Sequence, residues 1–171
     1  SKIYKRSVGF FSSSAINFIG KGVMSMARNG GRIYLATSPR LNDDDIAAIQ
    51  QGYEKRDIIH RAFMNEATDA LKNISDENAI ALYQLIRAKV LDIKIVLKDG
   101  GMYHDKLAIL EDFSGNVVAC VGSNNESEPG YHSNYEKIRI YKSWTDIEGR
   151  IDDEIEEFES IWTNTNSALA V

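Results

Sequence analysis

Apolar and polar residues follow one another along this chain in short blocks whose spacing switches between that of strands and that of helices. Residues 3–11, IYKRSVGFF, read as a strand. Ser12, Ser13 and Ser14 then offer helix caps, and Ile16, Ile19, Val23 and Met26 recur at helical spacing, which predicts a helix running to about Arg28. Gly20 and Gly22 weaken that helix and fit close packing on a sheet. Asn29-Gly30-Gly31 ends it with glycines able to take positive φ. Residues 32–37, RIYLAT, form a second strand. A strand, a helix and a strand of these lengths predict a right-handed βαβ unit with parallel strands.

Residues 44–90 read as all-helical. Asp43, Asp44 and Asp45 suit a helix start, where the dipole favours negative charge. Ile59, Phe63, Ala67 and Leu71 make one stripe, and a second helix begins at Ser75 with Ala79, Leu82 and Ile86 turned inward. This block reads as a lid or packing layer inserted between strands. Residues 91–97, LDIKIVL, alternate like a half-buried strand. Residues 106–110 and 117–121 then form a hairpin around a turn at Ser114-Gly115-Asn116, and residues 137–142, KIRIYK, alternate as a further strand. Thr145-Asp146-Ile147-Glu148 fits a capping box. Ile147, Ile151, Ile155, Phe158 and Trp162 follow at helical spacing, the clearest helix in the chain, with an acidic outer face. Residues 163–171 read as a tail or the start of a linker.

The sum is an α/β fold, a mixed β-sheet sandwiched by helices, in a single domain over residues 1–171. Length and composition agree: 171 residues with 43% hydrophobic and 26% charged is enough for one substantial core. No apolar run approaches the roughly 20 residues that span a bilayer, so no membrane partner is expected. No signal peptide is visible, and Cys120, the only cysteine, lies in an apolar run and reads as a buried small hydrophobe. Together these point to a cytoplasmic protein. The chain begins at Ser1 without Met, which fits a domain cut from a longer protein. The net charge of −5 gives no global attraction to nucleic acid, so any such binding must rest on a local basic patch or another domain.

Candidate chemistry gathers in residues 98–126, where polar residues crowd the ends of apolar runs. His104 and Lys106, at i and i+2, would share one face of a strand. Imidazole serves as nucleophile or as general acid and base near neutral pH, and lysine is a point charge suited to phosphate. Ser123, Asn124 and Asn125 can offer a hydroxyl and amides to the same oxygens. Such a set suits phosphoryl transfer, where stabilising the equatorial oxygens matters most. No carboxylate and histidine cluster has metal-ligand spacing, so the chemistry asks for no metal and no cofactor. Arg40, just past the second strand, is placed to contact a phosphate, since ligands of such folds sit beyond the carboxyl ends of strands. His60 reads as a packed or surface helix residue and His132 as a loop histidine. Trp144 and Trp162 read as packing residues.

His104-Asp105-Lys106, followed by Gly122-Ser123-Asn124-Asn125, resembles the signature of the phospholipase D superfamily: His-x-Lys, then an aspartate, then Gly-Ser and asparagine. Asn134-Tyr135-Glu136 before KIRIY resembles the Asn-x-Glu carried downstream by many nucleases of that superfamily. The signature's aspartate falls on Glu111, with Asp112 beside it, and the gap to Gly122 is longer, which implies a longer hairpin. The resemblance covers roughly residues 104–142 and implies a phospholipase D-like fold. It also implies an active site built from two copies of the motif, which a chain with one copy completes as a homodimer.

The resemblance assigns roles accordingly. One His104 attacks phosphorus to form a phosphohistidine, and the other protonates the leaving oxygen and then activates water. Lys106 and Asn125 hold the phosphate, Glu136 orients His104, and Ser123 bonds within the site. The expected function is a metal-independent DNA endonuclease domain of a restriction or helicase-type protein. A phospholipid phosphodiesterase and a catalytically inactive dimerisation module are the alternatives.

Overall fold

The computed structural model describes residues 1–11, 16–38, 85–86, 88–123 and 137–171. The chain enters through strand β1 (Ile3–Val8), helix α1 (Ile16–Arg28) and strand β2 (Arg32–Thr37). β1 and β2 pair in parallel, as the βαβ reading requires. β1 stops at Val8 rather than at residue 11 because Gly9 breaks the run. α1 ends where expected: Gly30 adopts φ 72° and the Gly31 N–H returns to the Met26 carbonyl at 2.8 Å.

The predicted helical block at 44–90 lies outside the described residues except at its end. There Leu85 is buried and Ile86 is 39% exposed, so Leu85 rather than Ile86 faces the core. Strand β3 (Leu91–Ile95) joins β2 in parallel, and the short β4 (Leu97–Lys98) splits off from the single strand expected over 91–97. Strands β5 (Lys106–Glu111) and β6 (Val117–Gly122) form the hairpin, and β7 (Ile138–Lys142) pairs antiparallel with β6. Among the described residues the main sheet has six strands in the order β3-β2-β1-β5-β6-β7. The first three are parallel, and β5 runs antiparallel to β1.

Helix α2 (Arg150–Trp162) covers one face of this sheet and α1 the other. Val23 and Met26 of α1 pack with Val8, Ile33, Leu35, Leu85 and Leu91. Ile151, Phe158 and Ile161 of α2 pack with Tyr103, Leu107, Ile109 and Ala119. Each face is served by alternate residues of the same strands, as the pleat dictates. Trp162 is a packing residue, edge-on to Tyr34 at 5.3 Å and stacked on Phe158 at 5.8 Å. Trp144 is not: it is 59% exposed.

Two predictions near α2 fail. The capping box at Thr145–Glu148 does not form: Thr145 Oγ1 donates to the Lys142 carbonyl at 3.3 Å and Glu148 pairs with Arg150 at 2.5 Å. The helix starts later, after Gly149 in a left-handed conformation at φ 74°, with Asp146 Oδ2 accepting the Ile151 N–H at 2.8 Å. Ile147, expected on the inward stripe, is therefore almost fully exposed. Nor is 163–171 a loose tail: strand β8 (Leu169–Ala170) returns to pair with β4.

Candidate active site

The register places one end of the main sheet under the motif. Val8 stands opposite Thr37 on one side and Lys106 on the other, and Thr37 stands opposite Ile95. The carboxyl ends of three parallel strands and the start of β5 thus share one edge. Lys106 and Gly122 each lie one residue beyond the paired Leu107 and Val121, so the two halves of the motif meet at that same edge. This is where ligands of open α/β sheets sit.

Lys106 is the first residue of β5, and His104 stands just before the strand, exposed, where the sequence placed both within it. The Lys106 side chain is almost wholly buried, and its ammonium donates to the His104 carbonyl at 3.2 Å. A buried cation beside an exposed imidazole could offer an anion both a charge and a nucleophile. Ser123, at the end of β6, is exposed, and its Oγ accepts the Lys137 N–H at 3.1 Å. It ties the exit of β6 to the approach of β7. Gly122 is needed there, because a Cβ would stand 2.6 Å from the Lys137 carbonyl oxygen. The structure therefore brings His104, Lys106 and Ser123 to one end of the sheet. Asn124, Asn125, Glu136 and Arg40, with His60 and His132, lie outside the described residues.

Glu111 and Asp112, which compete for the signature's aspartate, do different work. Glu111 ends β5 and pairs with Lys2 at 3.2 Å. Asp112 organises the turn: Oδ1 accepts the N–H groups of Ser114 at 2.8 Å and Asn116 at 2.9 Å, and Oδ2 accepts the Asn116 amide at 2.8 Å. These bonds hold its carboxyl below the usual carboxylate range, with the Asn116 side chain the largest cause. Gly115 completes the turn at φ 82°.

Four residues next to the site carry no sequence label. Gly9 faces the approach to His104, and a Cβ there would stand 2.8 Å from the Tyr103 carbonyl oxygen. Ser7, Tyr103 and Asp105 form a hydrogen-bonded group behind the motif. A glycine inside a strand-like run is itself a signal of close backbone approach, and Gly9 was readable on that ground. Arg6 is buried on β1, level with Ala108, which stands level with Cys120. Cys120 is half-buried; burial pushes its thiol pKa up, and the Arg6 charge opposes the shift. Among the described residues no group of three His, Cys, Asp or Glu could hold a metal ion, and no helix is long and apolar enough to cross a membrane.

The α/β architecture, with a mixed sheet between helices and the motif at the strand ends, is a phospholipase D-like fold. Among solved structures the chain is similar to phosphatidylserine synthase of Haemophilus influenzae Rd KW20, with a TM-score of 0.56 over 100% of this chain at 12% identity. The chain spans 34% of that protein's length. No protein-family model matches the chain, and no curated protein sequence matches it either.

Proposed function

We propose that the protein is a phosphodiesterase that works through a phosphohistidine on His104 and that its substrate is DNA. What carries the reading is one observation: exposed His104 stands against buried Lys106 at the carboxyl edge of the sheet. In this reading a His104 ring nitrogen attacks phosphorus and the P–O bond to the leaving group breaks. The leaving oxygen takes a proton from His104 of the partner subunit in an isologous homodimer. That imidazole then takes a proton from water, whose oxygen displaces the His104 nitrogen and frees the phosphate product. Lys106 and Asn125 hold the equatorial oxygens, Asn124 and Arg40 extend the phosphate contacts, Glu136 orients His104, and Ser123 keeps the β6 end in place. Lysine charge does the work that a metal does elsewhere, so the reaction is metal-independent. The larger setting in this proposal is a cytoplasmic restriction or helicase-type protein.

The named structural neighbour favours a second reading, a phospholipid phosphodiester as substrate, because the same chemistry at phosphorus serves both. The deciding experiment sets the wild type and His104→Ala against plasmid DNA and against phospholipid vesicles, both in EDTA. DNA cutting by the wild type alone supports the nuclease. Headgroup release from vesicles alone transfers the function to lipid. Equal behaviour of the two proteins on both substrates defeats the phosphodiesterase and leaves a non-catalytic dimerisation module.

A further inference from the structure

Asp105 lies between the two residues that the proposed function makes chemical, and that function gives it no task. It stands immediately before β5, with its carboxylate turned to Ser7 and Tyr103. It is partly buried there, and its charge adds to the burial that pushes Glu154 of α2 above the usual carboxylate range. Three donors converge on its carboxylate. The Lys106 N–H reaches Oδ1 at 2.7 Å, the Ser7 hydroxyl reaches Oδ2 at 2.5 Å, and the Tyr103 hydroxyl reaches Oδ2 at 3.5 Å. The Ser7 and Tyr103 hydroxyls also bond to each other. Ser7 is fully buried and Tyr103 is 4% exposed, so the two hydroxyl-bearing residues are shielded from solvent.

The anchor of this group is Ser7, in the strand that pairs with β2 on one side and β5 on the other. Asp105 thus fastens residues 103–106 to an interior strand of the sheet, and His104 lies within the fastened segment with Gly9 against it. Hydrogen bonds are directional, and a reacting group must be held within about 0.5 Å of its productive place. We propose that the Ser7–Tyr103–Asp105 group is a positioning device for His104, with Asp105 as its central residue; this rests on the reading that His104 attacks a phosphodiester. The device acts through hydrogen bonds rather than charge. An amide at 105 keeps the two short contacts: its oxygen accepts the Lys106 N–H and its nitrogen donates to Ser7, whose own hydrogen turns to Tyr103, and only the long bond from the Tyr103 hydroxyl is given up.

The test uses the full chain as wild type, Asp105→Asn, Asp105→Ala and Ser7→Ala. Two readouts are taken: kcat and KM for bis(p-nitrophenyl) phosphate, and the ring carbon–proton NMR signal of His104, assigned with His104→Gln. Asp105→Ala is expected to lower kcat about 30- to 100-fold with KM within about threefold, since a small misplacement of a reacting group costs on that order. Its His104 signal broadens or splits while the other two histidine signals stay in place. Asp105→Asn retains at least about a third of the wild-type kcat and a single His104 signal. The proposal is overturned if Asp105→Ala leaves both kcat and the signal unchanged, or if Asp105→Asn falls as far as Asp105→Ala. Should Asp105→Ala not fold, Ser7→Ala, which spares the Lys106 N–H bond, must show the same changes to His104 or the idea fails. Should the wild type hydrolyse no diester, the proposed function falls, and the His104 signal alone decides the positioning.

Discussion

Gly9 and His104 approach so closely that a Cβ on Gly9 would stand 3.0 Å from the His104 Cα and 3.2 Å from its ring carbon Cδ2. The glycine is therefore part of how the histidine is placed. It is the residue that lets β1 end directly against the segment leading into β5.

Gly9→Ala follows from this contact. The added methyl meets the Tyr103 carbonyl oxygen at 2.8 Å, and because that atom is backbone, the 103–105 segment has to move. Overpacking of this kind costs about 1–3 kcal/mol. Urea unfolding should show that loss, and diester hydrolysis should fall about 10- to 100-fold, mostly in kcat, as displacement of a reacting group predicts. A variant with wild-type stability and rate would show that the segment yields freely.

Lys106→Met separates chemistry from stability. The Lys106 side chain is buried and its ammonium donates to the His104 carbonyl; methionine keeps the length and the apolar stem but removes the charge and this bond. Unfolding free energy should fall by no more than about 1–3 kcal/mol, the cost of the lost bond, while kcat/KM for a phosphodiester drops by about a hundredfold or more through loss of the phosphate's counter-charge. A loss of several kcal/mol by the urea midpoint would instead make Lys106 a structural residue.

Alkaline pH supplies another measurement. Burial holds the Tyr103 hydroxyl well above its usual value of 10.0, opposed by the bond to Ser7 and reinforced by Asp105. Above pH 10.0 the unfolded chain releases this proton while the folded chain keeps it, so the stability it contributes is complete below that pH and is lost as pH rises beyond it. Urea midpoints for the wild type should fall between about pH 9 and pH 11 more steeply than those of Tyr103→Phe. Equal slopes would mean that Tyr103 ionises freely in the folded state.

What the sequence shows and hides divides along physical lines. β5 and β6 were legible as short apolar runs flanking a turn and β7 through its period-two alternation, all local properties, and α1 because its apolar residues and its glycine stop are local too. The capping box failed because Thr145 and Glu148 each had a nearer partner, Lys142 and Arg150, and spacing alone does not rank competing bonds. The pairing of β8 with β4 joins segments about seventy residues apart, with no pattern in either two-residue strand to announce it. His104, Lys106 and Ser123, which lie at one end of the sheet, were singled out by motif spacing. Asp105 was passed over because its main partner, Ser7, lies 98 residues earlier in the chain. The fates of Asn125 and Glu136 lie outside the described residues.

The place of β1 at the centre of the sheet has a consequence for how the protein folds. Its parallel neighbour arrives within about thirty residues, but its antiparallel neighbour is about a hundred residues away, and the histidine enters with that second neighbour. Closing so long a loop is slow and entropically costly, so this strand pair belongs among the late events of folding. A chain still on the ribosome, or one misfolded short of that closure, has β1 and β2 joined and no site at all. If the proposed function holds, activity is then a late marker of the native state, and its recovery after dilution from denaturant should lag behind recovery of helical structure.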